Sequence, residues 1–290
     1  MAYRANPLIK LTLPAPAKLN LFLHITGRRP DGYHNLQTLF QLLDYGDELT
    51  FDHSDSAAIR FSCNNSLLET EDNLVVKAAR LLQTTLGIKH GCVIHLDKKL
   101  PTGGGVGGGS SDAATTLLAL NRLWQGEQSA VQLQQLGLQL GADVPVFLHG
   151  HTAWAEGVGE NLQNMDLPES WFVVITPHCH VATSQIFGHQ QLTRNSAAIR
   201  IPAFPFSGSR NDCEKVVCSL YPQVQSALDW LGKFAEARMS GTGASVFASF
   251  ANREQAEAVL EQLPLDFTGF IAQGVNRSPL HEKLEDLKTC

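Results

Sequence analysis

The sequence lacks the features that mark membrane and nucleic-acid-binding proteins. No apolar run reaches the ~18 residues that a membrane-spanning helix needs, and the N-terminal stretch has no apolar core of signal-peptide length. Its 22 basic residues are outnumbered by 28 acidic ones, which leaves a net charge of −6, whereas a nucleic-acid-binding surface is usually basic. We therefore expect a soluble, cytoplasmic protein without a membrane or nucleic-acid partner.

The sequence also lacks any cysteine pattern of metal or redox sites. Its six cysteines include no CxxC pair and no spacing typical of zinc. The histidine pairs 149/151 and 178/180 are not accompanied by an HExxH motif or a carboxylate pattern. We therefore expect reduced, structural thiols, and we assign no metal site made by protein side chains alone.

The 290 residues, 43% of them hydrophobic, are enough for two domains with their own cores. Strand and helix patterns alternate in both halves, which predicts an α+β protein with an N-terminal domain at 1–165 and a C-terminal domain at 166–290. Alternation at 17–25 predicts a half-buried strand with Lys18 and Asn20 on its polar side. We further expect strands at 36–43 and 47–52, a helix over 212–232, an irregular stretch at 190–212, and a last strand at 268–273.

The most unusual segment is a glycine-rich loop that runs directly into a helix. Six of the seven residues at 103–109 are glycine, and Ser110, Ser111 and Asp112 precede a run of good helix formers. We expect these polar residues, Asp112 among them, to cap the helix. Glycines allow positive φ and close approach to a ligand, and amides backed by a helix N-terminus form an anion site. A flexible linker would not lead straight into a capped helix, so we interpret the loop as a phosphate site.

Other phosphate loops fit this segment poorly. A Walker A loop needs a lysine after its last glycine, and this one is followed by Ser110 and Ser111. The GxGxxG of a dinucleotide site needs a strand after its helix, whereas a capping box of Ser129 and Gln132 predicts a second helix at 129–140. The HRD and DFG elements of protein kinases do not occur.

Three motifs, in order, resemble those of the GHMP kinases. They are PAKLNL at 16–21, PTGGGVGGGSSDAA at 101–114 and SGTGA at 240–244. The resemblance implies a two-domain α+β fold, with a ribosomal-protein-S5-like N-terminal domain and a ferredoxin-like C-terminal domain. It also implies that ATP lies on the loop. We expect Mg²⁺ to arrive with the nucleotide, with Ser111 as a candidate contact. The implied ATP-binding residues are Pro101, Thr102, Gly103, Gly104, Gly105, Val106, Gly107, Gly108, Gly109, Ser110 and Ser111.

Further segments resemble one group within that family. RPDGYH at 29–34, LGADVPVF at 140–147, EGVGE at 156–160 and NDCE at 211–214 are similar to members whose acceptor carries a cytidine diphosphate group. The implied reaction transfers the γ-phosphoryl group of ATP to the 2-hydroxyl of a methylerythritol bearing that group. This reaction belongs to the non-mevalonate route to isoprenoid precursors.

The resemblance gives roles to residues that otherwise have simpler interpretations. From the residues alone, Asp143 is a helix cap and Lys18 a surface lysine, and Tyr33 and His34 are turn residues. The resemblance implies that Asp143 is the catalytic base and that Lys18 is its electrostatic partner. The implied substrate-binding residues are Asn20 for the acceptor hydroxyl, and Tyr33, His34, Thr183 and Phe187 around the cytidine.

Two alternatives stay open at this level. The chain is either a kinase of the same family acting on homoserine or a mevalonate intermediate, or a non-catalytic relative that binds a nucleotide. The first alternative leaves the DGYH segment without an aromatic role, because those acceptors carry no base. The second leaves Lys18 and Asp143 without a purpose.

Overall fold

The structure is a computed structural model that describes residues 10–200 and 209–287. Its strands are β1 (Leu11–Arg28), β2 (His34–Ser54), β3 (Ile59–Cys63), β4 (Gly91–Asp97), β5 (Ala153–Gly157), β6 (Asn161–Asn164), β7 (Trp171–Pro177), β8 (Arg238–Met239), β9 (Val246–Phe250) and β10 (Phe267–Val275). Its helices are α1 (Leu74–Leu86), α2 (Gly108–Leu123), α3 (Ala130–Leu140), α4 (Val144–His149), α5 (Thr183–Gly188), α6 (Glu214–Leu220), α7 (Pro222–Leu231), α8 (Arg253–Leu260) and α9 (Pro279–Asp286).

The strands form a continuous sheet in the order β3-β4-β2-β10-β7-β9-β8. β2 is the organising strand, because it pairs with β1, β4, β5 and, at its middle, β10. β10 in turn pairs with β7 through seven register positions. The two halves of the chain therefore share one hydrogen-bonded framework, and the predicted α+β class is confirmed.

Most buried apolar side chains gather in two main cores. The first lies among β1, β2, β4 and helices α1 to α4, and it also contains Leu280 of α9. The second lies among β7, β9 and helices α5 to α8. A division of the chain between residues 165 and 166 stays a prediction, and α9 is a C-terminal element that packs into the first core.

The polar side of β1 does not face water, so the expected half-buried strand is wrong. Lys18 is 1% exposed and Asn20 is 3% exposed. The reason is that the glycine-rich loop lies against the strand: the Lys18 amide donates to the Val106 carbonyl at 3.0 Å. The alternation of polar and apolar residues shows that one face of a strand is polar. It does not show whether water or another polar segment of the chain covers that face.

Several element boundaries also differ from expectation. Residues 36–43 and 47–52 belong to one strand, β2, and the helix expected over 212–232 is two helices that meet at Tyr221 and Pro222. Proline has no N–H and restricts the residue before it, which explains the break. The predicted capping box of Ser129 and Gln132 at the start of α3 is confirmed. Helix α9 was not expected.

The described part of the chain contains no helix long and apolar enough to cross a membrane. Five of its cysteines are free thiols, and Cys290 lies outside the described residues. His53, Asp55 and His90 each place one oxygen or nitrogen atom within 4.8 Å of the others, a grouping that could hold a metal ion. The expectation of no protein-borne metal site therefore stays a prediction.

Candidate active site

The glycine-rich loop ends at the N-terminus of α2, as its sequence predicts. Gly103, Gly105 and Gly107 have φ values of +69°, +75° and +76°, a conformation that glycine adopts without strain. The first amides of a helix have no partner within the helix, and the positive end of the helix dipole lies there. The 16 residues of α2 therefore present a site for an anion at the loop.

The three sequence motifs meet around one carbonyl group of this loop. The Gly105 carbonyl accepts hydrogen bonds from Lys18 Nζ at 3.1 Å and from Ser240 Oγ at 2.9 Å. Ser240 Oγ also accepts a hydrogen bond from the backbone amide of Asn20 at 3.1 Å. A Cβ on Gly105 would lie 2.3 Å from the Ser240 carbonyl oxygen. The third motif therefore fixes the loop against β1, and only glycine fits at its centre.

Lys18 lies at the centre of a set of polar contacts. Its Nζ lies 3.0 Å from Asp143 Oδ2 and donates to Asn20 Oδ1 at 2.6 Å, and it lies 5.3 Å from the centre of the Phe40 ring. Asn20 Nδ2 donates to Thr38 Oγ1 at 2.9 Å. The side-chain amide of Asn20 therefore has a single orientation, with Oδ1 toward Lys18 and Nδ2 toward Thr38. Sequence reasoning missed Thr38, which lies near the start of β2 and belongs to no motif.

Asp143 precedes α4 but does not cap it with its side chain. It has αR backbone angles and makes no side-chain capping bond, so the simpler interpretation of this aspartate as a helix cap is wrong. Its side chain is 38% exposed, whereas that of Lys18 is 2% exposed. The pair therefore consists of a fixed ammonium group and a carboxylate that a ligand can reach.

These groups line one cleft of about 450 Å³. Such a volume lies in the range usual for small-molecule sites. The predicted residues on its walls are Lys18, Asn20, Pro101, Thr102, Gly103, Gly104, Gly105, Gly107, Gly108, Gly109, Ser110, Asp143, Thr183 and Phe187. Four predicted residues lie off these walls, namely Val106, Ser111, Tyr33 and His34.

The four residues off the walls have different surroundings. Val106 is a core residue, and Ser111 is fully buried in the first turn of α2. Tyr33 is 62% exposed at the tip of the turn between β1 and β2. His34 is buried and stacks on Phe187, with 5.2 Å between ring centres and 29° between planes. The structure thus brings His34 to the cleft indirectly, through Phe187.

Sequence reasoning also missed a buried group of charges beside the loop. Lys98 Nζ lies 2.6 Å from Asp47 Oδ2 and 2.6 Å from Asp112 Oδ2. Asp47 Oδ1 accepts from the amides of Lys99 and Leu100. Asp112 was expected to cap α2, but it pairs with Lys98 instead, and its burial raises its pKa to about 7. Asp47 and Lys98 lie in no motif, and the motif that contains Asp112 does not indicate its partners, because the three residues come from separate segments.

Two oxygen atoms in this region suit a hard cation. Ser111 Oγ and Asp112 Oδ1 are buried and have no hydrogen-bond partner within residues 10–200 and 209–287. Mg²⁺ prefers oxygen ligands, one or two from the protein and the rest from phosphate and water. The residues at the start of α2 therefore fit a magnesium ion that arrives with a nucleotide.

The fold and these motifs match a known class of enzymes. The sequence pattern of the GHMP kinases N terminal domain matches residues 73–151, and that of the GHMP kinases C terminal matches residues 196–268. Two mevalonate kinase structures, one from Methanococcus jannaschii and one from L. major, have the same fold, with TM-scores of 0.67 and 0.68 at 15% and 13% identity. They cover 94% and 96% of this chain and all of their own. The chain belongs to the GHMP kinase family.

Closer relatives identify a group within the family. A Marinobacter nauticus protein named 4-diphosphocytidyl-2-C-methyl-D-erythritol kinase is 54% identical over 97% of this chain and 100% of its own length. A Hahella chejuensis protein of the same name is 51% identical over 95% and 97%. A crystal structure of 4-(cytidine 5'-diphospho)-2C-methyl-D-erythritol kinase has a TM-score of 0.81 at 31% identity, covering 91% of this chain and 100% of that one. Within the GHMP kinases, the chain belongs with the 4-diphosphocytidyl-2-C-methyl-D-erythritol kinases.

Proposed function

We propose that the chain transfers the γ-phosphoryl group of ATP to the 2-hydroxyl of 4-diphosphocytidyl-2-C-methyl-D-erythritol and releases ADP. The observation that carries the proposal is the Lys18–Asp143 pair at 3.0 Å on the wall of the cleft that the phosphate loop also lines. Full-length identity of 54% to a protein named for this acceptor supports the choice of substrate.

Asp143 is the base in this proposal. Its partly exposed carboxylate accepts the proton of the acceptor hydroxyl as the bond to phosphorus forms. Lys18 stabilises that carboxylate and the negative charge of the transferring group. Because Asn20 and the Gly105 carbonyl hold Lys18 in place, its charge is already positioned when the substrates bind.

The loop at 101–111 holds the phosphates. Its amides and the N-terminus of α2 donate to phosphate oxygens, and the backbone comes close because no side chain intervenes. A Mg²⁺ ion carried with the nucleotide would supply positive charge beside the phosphates. Ser111 Oγ and Asp112 Oδ1 are the protein atoms that would hold it.

The cytidine end of the acceptor is held near the turn between β1 and β2. Tyr33 and Phe187 supply aromatic faces for the base, His34 supplies a hydrogen-bonding ring, and Thr183 lies on the cleft wall. Tyr33 is 62% exposed, so its ring is open to contact with a ligand. Tyr33→Ala should raise KM for the cytidyl acceptor and leave KM for ATP unchanged. An unchanged KM for the acceptor would contradict this assignment.

An acceptor panel tests the proposal. The purified chain is given ATP with the cytidyl acceptor, homoserine or mevalonate, and ADP release is measured. We expect release only with the cytidyl acceptor, and its loss in the Asp143→Asn variant excludes a contaminating kinase. Release with homoserine or mevalonate alone would identify another kinase of the family. No acceptor-dependent release at all would point to a non-catalytic relative.

A further inference from the structure

Arg194 makes a hydrogen bond that determines where the proton of His34 lies. Arg194 Nε donates to His34 Nε2 at 3.0 Å. A guanidinium group carries only donors and stays protonated in proteins. His34 Nε2 must therefore be the unprotonated nitrogen, and the proton of the neutral ring must lie on Nδ1.

Arg194 is itself held rigidly. Its Nη2 donates to the carbonyls of Phe187 at 2.9 Å and His189 at 2.8 Å, and its Nη1 donates to the carbonyl of Leu192 at 3.2 Å. Within residues 10–200 and 209–287, Arg194 donates to His34 and to backbone carbonyls but to no carboxylate. No ion pair in this part of the chain therefore neutralises its charge. This arginine belongs to the irregular stretch after α5, where the sequence carries no motif.

The surroundings of His34 favour the same neutral ring. Burial lowers the pKa of His34, and the positive charges of Arg194 and Arg28 lower it further. Phe187 stacks against the ring at 5.2 Å and fixes its plane. His34 is therefore a neutral ring in a fixed orientation, with Nδ1–H as its single donor.

We propose that Arg194 is a positioning residue that sets the tautomer of His34 and so selects cytosine over uracil in the acceptor. The inference rests on the proposed function, because it concerns the base of that acceptor. Cytosine N3 is an acceptor, and it receives the Nδ1–H bond. Uracil N3 carries hydrogen, so that two donors would face each other. A lost or opposed hydrogen bond of this kind changes affinity about 10- to 100-fold.

The tautomer is measured first, on the parent protein without ligand. Nitrogen NMR of ¹⁵N-histidine-labelled protein at pH 7.5 distinguishes a protonated from a bare ring nitrogen, and a His34→Gln variant assigns the signals. We expect a protonated Nδ1 and a bare Nε2. In Arg194→Met the Nε2–H form should appear, whereas the control Arg253→Met removes an exposed arginine and should change nothing. A protonated Nε2 in the parent, or an unchanged spectrum in Arg194→Met, would overturn the inference.

The preference for the base is measured second, with the cytidyl acceptor and its uridyl analogue. We expect Arg194→Met to raise KM for the cytidyl acceptor about 10- to 100-fold, to leave KM for ATP unchanged, and to reduce the preference for cytidyl over uridyl. An equal rise for both acceptors would indicate a purely structural role and reject the proposal. If the parent turned over neither acceptor, the proposed function would fail, while the tautomer result would stand independently.

Discussion

Lys18 Nζ lies 3.0 Å from Asp143 Oδ2, and the two side chains differ sharply in exposure, at 2% and 38%. The lysine comes from the long strand β1, and the aspartate comes from the turn that leads into α4. One member of the pair is therefore held by buried hydrogen bonds, and the other faces the cleft. This asymmetry suits a reaction in which a fixed charge assists a base that must reach its substrate.

Replacement of the carboxylate tests the base directly. Asp143→Asn keeps the size of the side chain but removes its capacity to accept a proton. We expect kcat to fall about 100-fold or more, with KM for ATP changed little. Steady-state kinetics measure both, and Asp166→Asn, which alters an 84% exposed side chain, serves as the control. A kcat within a few-fold of the parent would remove Asp143 from the mechanism.

A methyl group in the phosphate loop should disturb nucleotide binding. Gly107 has a φ of +76°, and a Cβ there would lie 2.7 Å from Phe147 Cζ and 3.1 Å from Lys18 Cε. The backbone strain alone costs about 1–3 kcal/mol, so Gly107→Ala should shift the loop and weaken binding of an ATP analogue about tenfold. Calorimetry measures the affinity. The control Gly188→Ala should bind like the parent, because beyond its own helix backbone and chain neighbours no atom of the described residues lies within 4 Å of the new Cβ. Equal affinities in both variants would refute the prediction.

Loss of the buried lysine should destabilise the fold. Lys98→Met leaves Asp47 and Asp112 buried without their cation, which costs about 3–5 kcal/mol. The matched control is Lys99→Met, because the Lys99 side chain makes an exposed pair with Asp97 at 3.6 Å, worth about 0–1 kcal/mol. Urea unfolding compares the two variants. Midpoints that coincide would mean that the buried charges contribute no net stability.

Stability should fall as the pH drops below neutral, in part because of His281. Burial lowers the pKa of His281 in the folded chain, whereas an unfolded histidine titrates near 6.5. Below pH 6.5 the unfolded histidine binds a proton, whereas the folded one stays neutral. The free energy of unfolding therefore decreases as the pH falls. One such histidine contributes at most about 1.4 kcal/mol between pH 7.5 and 5.5.

The variant His281→Gln isolates this contribution. Glutamine does not titrate and still carries a donor for the Phe147 carbonyl, which lies 3.1 Å from His281 Nε2. Urea unfolding at pH 7.5 and 5.5 should show a smaller loss of stability in the variant than in the parent. The same loss in both proteins would place the pH dependence elsewhere.

The parts of the fold that sequence reasoning predicted correctly depend on local chemistry. The φ values above zero at Gly103, Gly105 and Gly107, and the capping box of Ser129, follow from what a few neighbouring residues can adopt or bond. The start of α2 after the glycines is of the same kind. Such signals are complete within a short window of the chain, so they can be read before any tertiary contact is known.

The features that sequence reasoning got wrong or missed depend on contacts between segments that are far apart in the chain. The polar face of β1 was assigned to water because alternation does not show which segment covers it. The contacts of Lys98 with Asp47 and Asp112 match no sequence pattern, since they form only when three separate segments fold together. Arg194 lies in an irregular stretch, and its partner His34 comes from β2.

By itself, the sequence determined the phosphate loop, the family motifs and the α+β class, because each is set by residue types at short, fixed spacings. Only the tertiary structure decided that Lys18 is buried, that Asp143 reaches it, and that Arg194 and Lys98 find their partners. Burial and charge pairing depend on distances in space between distant segments, and the β2–β10 pairing and the packed cores create those distances.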